Sequence, residues 1–190
     1  MTNVVDIDGL PCYNLLDEYN HLHKSGVIDH PLDSYEFAQV CLNTTVDKPN
    51  DMYLGTGSLV KDWDNSYYEN GNLVVPDRPV PLKESDFTEL CSQFRGTLFE
   101  DVYYKLRQKY NVGRVRLMTS QPKTCLTWHR DDSHRIHYPI KTQFGCMMVF
   151  DDKPYILEQN HWYYTKTDQF HTAVNASKGT RTHLVACVIL

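Results

Sequence analysis

Apolar positions change their period near residue 112. Before that point, Leu15, Leu16, Tyr19 and Leu22 recur at helical spacing and predict a short helix over residues 15–24. A stronger helical stretch opens at Ser85 and Asp86 and runs to about Tyr110. Its apolar residues Phe87, Leu90, Phe94, Leu98, Val102, Tyr103 and Leu106 fall three or four apart, with an interruption expected at Gly96. Residues 36–44 read as a strand. Between residues 47 and 81, Asn, Asp, Gly, Pro and Tyr dominate, so turns are expected there, with a short strand over 72–75. From Val112 onward, short β-branched and aromatic runs alternate with turn residues. The runs are 114–119, 124–128, 135–140, 144–150, 155–157, 162–165, 170–175 and 181–190. Strands at this spacing predict a sandwich or barrel. The expected layout is one domain over residues 1–190, with a helical, loop-rich part (1–111) preceding a β core (112–190).

Composition narrows the class. At 190 residues and 41% hydrophobic content, the chain can bury a sizeable core. No run approaches the roughly 18 apolar residues of a membrane span. The first ten residues carry Asp6 and Asp8 and no base, the wrong charge for a targeting segment. A soluble, cytoplasmic protein is expected. The six cysteines form no C-x-x-C pair, so reduced, mostly packed thiols are expected rather than a zinc site or a disulfide framework. A net charge of −5 argues against nucleic acid as a partner. The charge is uneven: residues 1–113 carry −9 and residues 114–190 carry +4. A basic C-terminal part suits a small anionic ligand, although taken alone the asymmetry is better explained by chance and solvated surface charge.

The candidate chemistry begins with His129-Arg130-Asp131. In an extended chain, positions i and i+2 share a face, so His129 and Asp131 can converge on one ion. Two histidines and a carboxylate with open positions form the triad of non-haem iron(II) oxygenases. Chance placement of 9 histidines among the aspartates gives about one H-x-D pair, so the motif alone is weak. Two residues further along the chain strengthen it. His171 lies in a strand-like run 40 residues after Asp131, where a returning strand can add a third ligand. Arg181 leads the last strand, whose other positions on that face are His183, Val185, Cys187 and Ile189. An arginine there suits a buried carboxylate, which it binds bidentately.

His129-Arg130-Asp131, Arg135-Ile136-His137, His171 with Asn175, and Arg181 together resemble the aspartyl/asparaginyl β-hydroxylase family of 2-oxoglutarate oxygenases. The resemblance covers residues 112–190. It implies a double-stranded β-helix (jelly roll, cupin-like) with the N-terminal helices packed on it, which agrees with the strand pattern. It implies that His129, Asp131 and His171 hold Fe(II), and that Arg181 binds the distal carboxylate of 2-oxoglutarate. It also implies that Arg135 and His137 contact that cosubstrate and that O₂ is consumed. Asp131 fills a metal position that the family's vertebrate founder leaves without a carboxylate, which implies hydroxylation rather than halogenation. The spacing from His129 to Arg135 is shorter than in the founder. The implied substrate is an aliphatic C–H bond of an amino-acid side chain, peptidyl or free, with release of succinate and CO₂.

Other residues carry competing readings. His134 and His137 form H-x-x-H, an alternative ligand pair. His161 and His183 read as structural, with His183 sharing the Arg181 face. His21, His23 and His30 are expected to be exposed. Trp128, Trp162, Tyr163 and Tyr164 suit a pocket wall or a core, Thr119, Ser120 and Thr127 offer hydroxyls to a carboxylate, and residues 51–72 suit a substrate lid. Two other classes stay open on the residues alone: a cupin-like metal enzyme without 2-oxoglutarate, and a non-catalytic jelly-roll binding module.

Overall fold

The strand Val112–Ser120 sets the plan of the molecule. Its residues alternate between Val115 and Leu117 on one face and Arg114, Arg116, Met118 and Ser120 on the other. Both faces are covered: the apolar face by helices, the polar face by a second sheet. The computed structural model describes residues 2–28, 37–62 and 65–190.

The strands are β1 (Val4–Asp6), β2 (Phe37–Cys41), β3 (Asn43–Thr44), β4 (Tyr67–Glu69), β5 (Asn72–Val74), β6 (Glu89–Leu90) and β7 (Val112–Ser120), followed by β8 (Thr124–Cys125), β9 (Arg135–Lys141), β10 (Cys146–Phe150), β11 (Lys153–Tyr155), β12 (Tyr163–Thr165), β13 (His171–Asn175) and β14 (Arg181–Val188). The helices are α1 (Leu15–Lys24) and α2 (Leu98–Lys109). A six-stranded sheet runs β1-β12-β9-β14-β7-β2, and a four-stranded sheet runs β11-β10-β13-β8. Every pairing in the two sheets is antiparallel. This is the double-stranded β-helix implied by the sequence. Each of the eight runs expected after residue 112 meets a strand, though 124–128 is regular only at Thr124–Cys125 and 155–157 only at Tyr155, the last residue of β11.

The main core lies between the helices and the large sheet. Leu15, Tyr19 and Leu22 of α1 and Phe99, Val102, Tyr103 and Leu106 of α2 pack on Val115, Leu117, Ile136, Tyr138, Leu184 and Ala186. Both helices carry a side-chain cap: Asn14 accepts from the Leu16 amide and Thr97 from the Phe99 amide.

The long helix expected over 85–110 is a correction. Only Leu98–Lys109 is helical, and the preceding chain forms two 3₁₀ turns around the short strand β6. Gly96 adopts a left-handed φ of 73°, which ends any continuous helix. Leu90 and Phe94 keep their burial by another route, because β6 pairs with β3 and the Cys91 amide donates to the Leu42 carbonyl. Strand pairing overrides the helical period here. The expected strand over 36–44 is β2 and β3, with Glu36 outside the described residues.

Two polar clamps join the N-terminal part to β7. Buried Asn43 donates to the Phe87 and Gly113 carbonyls and accepts from the Val115 amide. Arg114 donates to Glu84 at 2.8 Å through Nη2 and at 3.1 Å through Nε, and to the Gly55 and Gly57 carbonyls through Nη1. Gly55 has no room for a side chain: a Cβ would lie 2.7 Å from Cys41 Sγ and from Phe87 Cε1.

Burial alone would raise the Glu84 carboxyl, but the hydrogen bonds and charge of Arg114 outweigh it and hold its pKa down at about 2, against 4.5 ordinarily. A carboxylate depressed in the folded state stabilises it fully above its unfolded pKa, and that contribution fades as pH falls from 4.5 towards 2. Glu84→Gln should therefore cost about 2–4 kcal/mol at neutral pH, because it strands the Arg114 charge. Denaturant titrations across pH should show the acid-induced loss of stability flattened between pH 4.5 and 2 in the variant.

Candidate metal and cosubstrate site

Between the two sheets lies a cavity of about 290 Å³. His129, Asp131, His171, Arg135, His137 and Arg181 all line it, so the structure brings every site residue expected from the sequence into one place.

His129 and His171 face each other across an antiparallel bridge. Each backbone amide donates to the other residue's carbonyl, at 3.0 and 2.9 Å, and the ring centroids stand 4.4 Å apart. The Nδ1 of His129 meets the Thr127 carbonyl at 2.7 Å, and that of His171 meets the Gln169 carbonyl at 2.9 Å. A carbonyl only accepts, so both Nδ1 atoms carry a proton, and in the neutral ring it is Nε2 that presents the lone pair. Burial lowers the pKa of His171, which favours the neutral, metal-binding imidazole. Asp131 is fixed by its amide, which donates to the Thr167 carbonyl at 2.8 Å. Its Oδ2 lies 3.6 Å from His171 Nε2, and its Oδ1 lies 4.0 Å from His129 Nε2. The three donor atoms fall within 4.8 Å of one another. Ligand atoms about 2.1 Å from a shared ion stand no more than about 4.2 Å apart, and the two carboxylate–imidazole separations, each measured to a different oxygen of Asp131, lie within that limit.

The arginines divide into two kinds. Arg135 is engaged by its own chain: Nη2 sits 3.2 Å from Asp131 Oδ1, and Nη1 donates to the Ser133 carbonyl, the Ser133 hydroxyl and the His134 carbonyl. Arg181 is different. Its Nη2 meets His183 Nδ1 at 3.1 Å, and among the described residues no carboxylate pairs with it. Burial pulls its pKa down to about 10, so it stays charged near neutral pH. Its cross-strand neighbour is Ser120, whose buried hydroxyl lacks a partner among the described residues. Both ring nitrogens of His137 are likewise buried and unpartnered. Burial, then the charges of Arg181 and Arg135, push its pKa well below 6.5. Unsatisfied donors around a fixed cation are what a bound carboxylate satisfies.

Other expectations resolve differently. His134 bonds Tyr164 and Asp168 rather than joining a metal set. Trp162 is buried, with Nε1 donating to the Pro11 carbonyl. Tyr163 and Tyr164 pack in or against the two cores, and Trp128 is half exposed. None of these four aromatics lines the cavity; the residues that do are smaller or polar, Thr119, Ser120 and Thr127 among them. His183 lies behind Arg181 rather than on the cavity wall. His21 is exposed and His23 half-buried, and His30 lies outside the described residues. In the expected lid over 51–72, Gly57 reaches the cavity, and Gly55 and Gly57 are fastened to Arg114. That section is a fixed wall, while the β4–β5 hairpin beyond it is exposed, and Trp63 and Asp64 lie outside the described residues. All six cysteines are free thiols.

Arg116, Gln39 and Met148 also stand on the cavity wall, and none of them was expected from the sequence. A signal for Arg116 was present: three neighbouring strands each carry an arginine two residues before a second basic or imidazole group. These are Arg114-x-Arg116, Arg135-x-His137 and Arg181-x-His183, all on the inner face.

A jelly roll holding two histidines and a carboxylate inside its cavity has the layout of a non-haem oxygenase. The chain belongs to the aspartyl/asparaginyl β-hydroxylase family, whose sequence profile matches residues 47–189. It is accordingly a 2-oxoglutarate-dependent hydroxylase, with Fe(II) and 2-oxoglutarate as the cofactors of its class. No curated protein matches the chain at the sequence level. Among solved structures it is similar to an oxidoreductase of the 2-oxoglutarate–Fe(II) oxygenase family from Burkholderia pseudomallei, at 12% identity over 97% of this chain and 83% of that one, TM-score 0.49. The viral collagen prolyl hydroxylase of Paramecium bursaria Chlorella virus-1, solved with 2-oxoglutarate, aligns at 12% identity over 99% and 97%, TM-score 0.46. A Bordetella pertussis cupin domain aligns at 15% identity over 40% and 81%, TM-score 0.36. The family assignment does not depend on these likenesses. No described helix is long and apolar enough to cross a membrane.

Proposed function

We propose that this protein hydroxylates an aliphatic C–H bond of an amino-acid side chain, in a polypeptide or a free amino acid. The reaction consumes 2-oxoglutarate and O₂ and yields the alcohol, succinate and CO₂. One observation carries the reading: two Nε2 atoms and a carboxylate converge in the same cavity as Arg181, a buried cation with no acidic partner among the described residues.

In this reading His129, Asp131 and His171 hold the metal. Fe(II), when bound, supplies the open coordination positions at which cosubstrate and O₂ meet. Arg181 and the Ser120 hydroxyl bind the distal carboxylate of 2-oxoglutarate, and His183 steadies Arg181 from behind. His137, neutral and unpartnered, offers a ring N–H or lone pair to the cosubstrate. Arg135 holds Asp131 in place; any contact with 2-oxoglutarate comes from a guanidinium already shared with that carboxylate. Leu126, Met148, Ala173 and Val185 give the cavity apolar walls, which limit water around the reacting centre.

Purified anaerobically with Fe(II) and then given O₂, the protein should convert 2-oxoglutarate to succinate slowly even without substrate, and His129→Ala should abolish this. Turnover that survives His129→Ala contradicts the reading. Arg181→Met should weaken 2-oxoglutarate binding about 10–100-fold, the loss expected for a charge-assisted bidentate pair. Arg135→Gln should instead weaken Mn(II) binding, followed by electron paramagnetic resonance, by about 10–100-fold, as loss of a ligand's supporting group does. A variant that binds Mn(II) normally and loses only 2-oxoglutarate would move Arg135 to the cosubstrate.

A further inference from the structure

Arg181 is not the only buried arginine in the cavity without a counter-charge. Arg116 also lines it and is 6% exposed. Its Nη1 donates to Gln39 Oε1 at 3.2 Å, and its Nη2 lies 3.5 Å from Cys187 Sγ. Its Nε is buried without a partner, and no carboxylate pairs with it among the described residues. Cys187 does not neutralise it, because burial pushes that thiol's pKa up and keeps it protonated.

The cosubstrate leaves Arg116 unserved. Arg181 pairs with Ser120, whereas Arg116 lies on the same face of β7, opposite Val185. Four residues of strand separate Arg116 from Ser120, or about 13 Å along β7. The Arg116 guanidinium leans towards Cys187, away from Arg181. A five-carbon diacid chelated at one end and held by Arg181 at the other has no third anionic group to offer. The wall beside Arg116 belongs to the N-terminal part of the chain. Gln39 Oε1 also accepts from the Gly57 amide at 3.3 Å, and Arg114 ties down the Gly55 and Gly57 carbonyls.

We propose that Arg116, braced by Gln39, is a second anion subsite that selects a substrate carrying a carboxylate and holds it beside the metal, apart from the 2-oxoglutarate arginine. This rests on the reading under Proposed function and names the substrate class for the same cavity. A buried guanidinium with a free N–H and no acid costs folding free energy, which a bound carboxylate offsets. The planar donor fork also favours a carboxylate over a neutral amide.

The test uses the Mn(II)-loaded protein, in which no turnover occurs. Calorimetry measures binding of 2-oxoglutarate, and then, with 2-oxoglutarate bound, of free L-amino acids, each beside its own carboxamide. At least one acid should bind wild type about 10–100-fold more tightly than its amide. Arg116→Met should erase that preference, and Arg116→Lys, which keeps the charge, should retain part of it. Arg181→Met should lose most of its affinity for 2-oxoglutarate, and Arg116→Met much less. The proposal is overturned if no acid outbinds its amide in wild type or if the preference survives Arg116→Met. It is equally overturned if Arg116→Met weakens 2-oxoglutarate as much as Arg181→Met does. If thermal melts show Arg116→Met unfolded, Arg116→Lys decides: equal binding of acid and amide overturns the proposal. Wild type that binds Mn(II) but not 2-oxoglutarate is a separate failure, which removes the cosubstrate reading and this inference with it.

Discussion

A guanidinium taken out of water needs an anion, and this constraint organises the inner face of the large sheet. Four buried arginines stand on that face: Arg116, Arg135 and Arg181 line the cavity, and Arg114 meets the N-terminal wall beside it. Two are answered within the chain. Glu84 neutralises Arg114 and thereby fixes the wall at Gly55 and Gly57, and Asp131 neutralises Arg135 and is itself held in position. The other two have no carboxylate among the described residues. A fold that keeps such groups charged and buried gives up some stability, and binding anionic ligands recovers it. Arg181 and Arg116 thus connect the energetics of the fold to the chemistry of its cavity.

The candidate metal site shows the same economy. His129 and His171 are placed by one antiparallel bridge, and each ring is oriented by a carbonyl two residues earlier in its own chain. Those contacts select the tautomer that presents Nε2. Asp131 needs only one more backbone bond, to Thr167, and the salt bridge to Arg135. Site geometry therefore depends on the register between the segment carrying His129 and β13. A one-residue slip would turn His171 to the far side of its sheet.

Much of this was legible in the sequence. The β core followed from short β-branched runs between turns, and α1 from its period. His129, Asp131, His171 and Arg181 stood out through their order and spacing. The helix expected across residues 85–97 failed because Leu90 and Phe94 satisfy the same burial through a strand pair and 3₁₀ turns, and period alone cannot tell these apart. Trp162, Tyr163 and Tyr164 suited either a pocket wall or a core from sequence, and the pairing of β12 with β9 puts Tyr163 and Tyr164 in or against the cores beside buried Trp162. Arg116 escaped notice because its meaning lies in what is missing around it: a strand arginine beside an apolar neighbour reads the same whether or not an acid waits across the cavity. The engagement of Arg135 by Asp131 is likewise a fact of three dimensions.

The most direct test of the account is a crystal structure of the protein with Mn(II) and 2-oxoglutarate. The expected result is one metal ion bound by His129 Nε2, Asp131 and His171 Nε2, with the distal carboxylate of 2-oxoglutarate on Arg181 and Ser120 and Arg116 left free for a further anion. Metal held by another residue set, or the distal carboxylate seated on Arg116 with Arg181 unengaged, would contradict it.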